Sequence, residues 1–74
     1  MEKAKLYCQT FPRNFGKYRV SVLDLGGKEI TGILAISEKQ IEVDVLEDHG
    51  EKALVLFPHG MSKEIAWVKA QNLN

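Results

Sequence analysis

Phe11-Pro12-Arg13-Asn14-Phe15-Gly16-Lys17-Tyr18-Arg19 interleaves three aromatic residues with three cations and contains no acid. Flat π faces accept stacked bases, and ammonium and guanidinium groups accept phosphates. The run therefore suits a stacked, anionic ligand such as RNA or single-stranded DNA. Phe11, Phe15 or Tyr18 would stack. Arg13, Lys17 and Arg19 would follow the backbone or stack as planar cations. The same residues admit a core reading. Tyr18 is in phase with Val20 and Val22 and should face inward, while Phe11 and Phe15 could plug an open end of the fold. The site expected from the sequence is Phe11, Arg13, Phe15, Lys17 and Arg19, with both phenylalanines open to either role.

Other candidate chemistry is sparse. Cys8, His49 and His59 are the soft metal ligands, and they stand far apart without Cys-x-x-Cys or His-x-x-x-His spacing, so no metal or other cofactor is expected. Both histidines precede glycines in turns, and Cys8 fits a small core position. No nucleophile–base set, phosphate loop or dinucleotide pattern stands out, so the expectation is a non-enzymatic module. An active site at the pore of a symmetric oligomer is the remaining enzymatic route. Trp67 is the single tryptophan. In a strand it shares a face with Ile65, while Ala66 and Val68 share the other; core burial is its expected fate, and exposure would make it a partner anchor.

The elements that must position these residues read as β-structure. With 74 residues the chain is one domain, 1–74, which buries only roughly 60% of its unfolded surface. Ile41, Val43 and Val45 alternate with Glu42 and Asp44, which predicts a strand with one wet face. Tyr18, Val20 and Val22 alternate in the same way. Ile33–Ile36 and Leu54–Phe57 are continuously apolar and should be central or covered on both faces. Lys5–Thr10 is a candidate first strand. Gly26-Gly27 predicts a two-residue hairpin, Ser37–Gln40, Asp48–Gly50 and Pro58–Gly60 predict further turns, and Gly32 predicts a bulge or sharp bend. Residues 62–73 admit a helix capped by Ser62, or a strand over Ile65–Val68 followed by a 3₁₀ turn and a closing Leu73.

This order of strands, ending in Val68-Lys69-Ala70-Gln71-Asn72-Leu73, resembles SH3-like, Tudor-like and Sm-like small barrels. With Gly60-Met61-Ser62, the tail is similar to the C-terminal Tudor-like domain of ProQ-type RNA chaperones, although the spacing from Ser62 to Val68 is longer than in that pattern. Gly27–Leu34 looks like an Sm-type second strand. The resemblance covers short segments and implies a fold more than an activity. The expected fold is an all-β, five- to six-stranded antiparallel SH3/Tudor-like barrel, with room for a short C-terminal helix or 3₁₀ turn.

Net charge is zero, but its distribution is uneven: residues 1–28 carry +4, 29–51 carry −6 and 52–74 carry +2. Spatial separation of these segments would give one basic and one acidic face, which could attract an anion on one side or stack copies head to tail; mixing would give only a soluble surface. Two functions follow. One is binding of RNA or single-stranded DNA at a basic-aromatic edge. The alternative is a protein-interaction, self-association or assembly module without nucleic acid. No stretch approaches the roughly 20 apolar residues of a membrane span. The charged start, Met1–Lys5, is not expected to be a signal peptide, and one cysteine suits the reducing cytoplasm.

Overall fold

A computed structural model describes residues 2–36 and 38–74. Seven strands run in the order β1 (Glu2–Tyr7), β2 (Gln9–Pro12), β3 (Tyr18–Leu23), β4 (Glu29–Leu34), β5 (Gln40–Asp48), β6 (Lys52–Leu56) and β7 (Ile65–Lys69), followed by a 3₁₀ turn over Ala70–Asn72. They form two antiparallel sheets, β1-β5-β6-β7 and β2-β3-β4. The all-β expectation holds, and residues 62–73 take the strand-and-3₁₀ reading rather than the helix.

Two finer expectations are corrected. The strands number seven rather than five or six because the first apolar run is cut at Cys8: β1 pairs with β5, β2 pairs with β3, and the single residue between them carries the chain from one sheet to the other. The Cys8 N–H donates to the Lys39 carbonyl at 3.0 Å. The described residues do not form a closed barrel either. Isolated bridges, Leu6 to Leu73 and Gly32 to Met61, join segments that a closed barrel would join by continuous ladders.

The core follows strand phase. Leu6, Val20, Val22, Ile30, Ile41, Val43, Val55 and Val68 are buried between the sheets with Cys8, Ala53, Phe57 and Ala66. Each buried Val, Leu or Ile side chain contributes about 1.5–3 kcal/mol relative to exposure. The expected alternation of Ile41, Val43 and Val45 is present, but Val45 is only partly buried. There β5 bulges, shifting its register on β6 between Val45 and Glu47. Ile33–Ile36 was expected to be covered on both faces, yet Ile33 is exposed because β4 is an edge strand with one outer face.

Glycine positions explain one turn and one crossing. The Gly26-Gly27 hairpin is longer than two residues. Its Gly27 N–H donates to Asp24 O at 3.0 Å, Asp24 N–H donates to Lys28 O at 2.9 Å, and only Gly27 has positive φ. That is a three-residue loop whose last position needs glycine. Gly32 marks no bulge, since the β3–β4 register is continuous. Instead the 60–62 segment crosses it so closely that a Cβ would lie 2.6 Å from Gly60 O and 2.5 Å from Met61 Sδ. Of the expected 37–40 turn, Ser37 lies outside the described residues, as does Met1. No helix among the described residues is long and apolar enough to cross a membrane.

Strand pairing also decides the charge question. Lys3 lies opposite Asp44 and Lys5 opposite Glu42, so the cations of β1 meet the acids of β5. Lys3 Nζ is 2.8 Å from Asp44, and Lys5 Nζ is 3.6 Å from Glu38. The hydrogen bond to Asp44, then its charge, raises the Lys3 ammonium above the usual lysine range. The two extreme segments are thus interleaved over this sheet rather than set on separate faces.

Candidate nucleic-acid interface

The basic-aromatic run becomes a hairpin. Phe11 and Pro12 end β2, Tyr18 and Arg19 begin β3, and residues 13–17 form the tip between them. Arg13 N–H donates to Lys17 O at 2.9 Å, and Lys17 N–H donates to Asn14 O at 3.3 Å. The two central residues of that last turn, Phe15 and Gly16, have φ of 61° and 70°. Two positive φ values in succession are the pattern of a type I′ turn, a position that favours Asn-Gly. Here a phenylalanine occupies the first of them.

Phe15 is 96% exposed. It does not plug an end of the fold, because its backbone turns the side chain outward. Arg13 and Lys17 flank it, both exposed, and neither has an ion-pair partner among the described residues. Phe15 is the single non-glycine residue with positive φ among the described residues. For a bulky side chain that conformation costs roughly 1–2 kcal/mol.

The other members of the run sit below the tip. Phe11 and Arg19 are direct cross-strand partners on the outer face of β2-β3-β4. The Arg19 guanidinium carbon lies 4.5 Å from the centre of the Phe11 ring, a cation–π stack, and Phe11 stays 40% exposed. Arg19 Nη1 is 3.8 Å from Glu29, whose other contact is the Ser21 hydroxyl at 2.6 Å. Tyr18 is half-buried in phase with Val20 and Val22, as its position in the strand predicts. All five expected site residues therefore share one hairpin, but in two tiers: Arg13, Phe15 and Lys17 at the tip, Phe11 and Arg19 on the sheet.

Trp67 departs from its expected burial. Ala66 and Val68 take the core face, which leaves Trp67 half-buried and Ile65 exposed on the outer face of β6 and β7. Lys52 Nζ lies 4.8 Å from the indole centre, and the His49 ring packs at 5.4 Å with a 55° tilt. Leu54 is its cross-strand partner, and the Leu25 N–H donates to its carbonyl at 2.8 Å. This second aromatic station lies beside the β3–β4 turn, at the end of the β3 hairpin opposite the tip. The sequence left its face open because Ile65/Trp67 and Ala66/Val68 are both apolar pairs.

A groove of about 700 Å³ is lined by Lys3, Lys5, Leu34, Ile36, Phe57 and Pro58 together with Glu42 and Asp44. Its two lysines are the ones already paired with acids. Among the described residues no three His, Cys, Asp or Glu side chains cluster to hold a metal ion. Cys8 is a buried free thiol whose pKa burial pushes up. No protein-family model matches the chain, and neither does any curated protein or solved structure.

Proposed function

We propose that this chain is a non-enzymatic binding module that takes up RNA or single-stranded DNA at the β2–β3 hairpin tip. The observation that carries the reading is Phe15: a phenylalanine held outward in a turn that disfavours it, between two cations with no ion-pair partner among the described residues. A solvated ring contributes nothing to the fold. Stacked on a base it contributes about 1–3 kcal/mol. Arg13 and Lys17 across the same turn supply the phosphate contacts, and Arg19 over Phe11 extends the surface. The closing 3₁₀ turn, with Leu73 bridged to β1, supports a relation in fold to small SH3- and Tudor-like domains. A reducing, cytoplasmic setting suits the free thiol of Cys8.

The test is fluorescence anisotropy of a labelled oligouridylate and oligothymidylate at low salt. Binding that Arg13→Glu or Lys17→Glu weakens supports the reading, and a wild-type protein that binds neither oligomer removes it.

The half-buried Trp67, beside exposed Leu25 and Ile65, favours a second reading, a protein-interaction module. Trp67 also separates the two. Its fluorescence should stay constant when a strand binds the distant tip, and should change when a protein partner covers the β6–β7 face. Trp67→Ala should abolish such a complex and leave oligonucleotide affinity intact.

A further inference from the structure

Resting on the nucleic-acid reading, we infer that Glu29 is a positioning residue for the site: it holds Arg19 over Phe11, so an acid raises the affinity for an anionic strand. Three contacts carry this. Ser21 Oγ donates to Glu29 Oε2 at 2.6 Å, which fixes the carboxylate on the sheet surface. The same Oε2 faces Arg19 Nη1 at 3.8 Å. The guanidinium then lies 4.5 Å from the Phe11 ring centre. The residues come from all three strands of the sheet: Phe11 from β2, Arg19 and Ser21 from β3, Glu29 from β4.

The alternatives predict opposite signs. An arginine otherwise samples many rotamers, and each costs entropy to fix on binding. Held in place above the Phe11 ring, the guanidinium is a ready surface for a base. If Glu29 acts only through its charge, it repels phosphates and its removal strengthens binding. If it positions Arg19, its removal weakens binding although the protein becomes more positive.

Glu29→Gln decides between them, because the amide keeps the size and the bond to Ser21 and loses the pull on Arg19. Anisotropy with an oligouridylate should show affinity falling about 3- to 10-fold. Unchanged or tighter binding overturns the inference. A second readout needs no ligand. Stacking on Phe11 shifts the Arg19 Hδ resonances upfield by ring current, and Glu29→Gln should move them toward random-coil positions. If they stay shifted, Glu29 does not position Arg19, whatever the affinity does. If the wild type binds no oligonucleotide, the nucleic-acid reading fails by itself, and the resonances still decide the role of Glu29.

Discussion

Phe15→Asn should make the protein more stable and worse at binding. At φ 61° a phenylalanine stores roughly 1–2 kcal/mol that asparagine, which tolerates the left-handed region, largely avoids. The ring is 96% exposed, so almost no packing is lost in exchange. The net gain is about 1 kcal/mol, which for a domain of this size raises Tm by about 4–8 °C. The same change removes a stacking surface of about 1–3 kcal/mol, a loss of roughly 5- to 150-fold in affinity for an oligonucleotide. Thermal unfolding followed by circular dichroism gives the first quantity and anisotropy titration the second. A Tm that falls would show that the ring is packed or the turn unstrained. A stabilised protein with undiminished affinity would show that Phe15 touches no ligand. Only the two effects together mark a side chain kept at the expense of stability.

The same geometry sets other outcomes. Replacing Arg13 and Lys17 with glutamine should flatten the slope of log affinity against log salt by about 1.4, two single-strand phosphate contacts, in titrations between low and moderate salt. Gly32→Ala should cost about 1–3 kcal/mol by overpacking, read as a lower urea midpoint, because Gly60 O and Met61 already occupy the space. Cys8 should react with an aromatic disulfide reagent only on unfolding. Burial raises its pKa in the folded state, so the unfolded chain loses the proton first. Its contribution to stability is therefore whole below about pH 8.5 and is lost as pH rises from there toward the raised folded pKa, so the wild type loses more stability over that range than Cys8→Ala.

The sequence carries some of this design openly. The alternation over Ile41–Val45 and the phase of Tyr18, Val20 and Val22 name their own inner faces, because a strand's period of two is local. The candidate run is also legible, since hairpin neighbours in sequence stay neighbours in space. What could not be read depends on distant pairing. The opposing charges of the first and middle segments cancel because Lys3 meets Asp44 and Lys5 meets Glu42, a register between residues about forty positions apart. Glu29 is missed for another reason: it lies only eight residues from Ser21, but the β3–β4 register that sets it beside Ser21 and Arg19 depends on a loop longer than the two residues expected. Trp67 is ambiguous because both faces of its strand are apolar, and the deciding factor is the register on β6, which sets Ala66 beside buried Val55 and Val68 beside buried Ala53. A signal for Phe15 did exist. Asn-Phe-Gly between two strand patterns is a turn with an oversized residue at its centre.

The crossing at Cys8 has a consequence for how the molecule comes apart. A single residue joins the edge strand of one sheet to the edge strand of the other, so neither sheet can open at that edge while the other stays whole. Thermal and chemical unfolding should therefore be one cooperative event, with the slowest-exchanging amides of both sheets sharing a common opening free energy. The hairpin tip stands outside that unit. Its backbone joins the frame only through β2 and β3, so the residues proposed to meet a ligand can rearrange without breaking the ladders of either sheet.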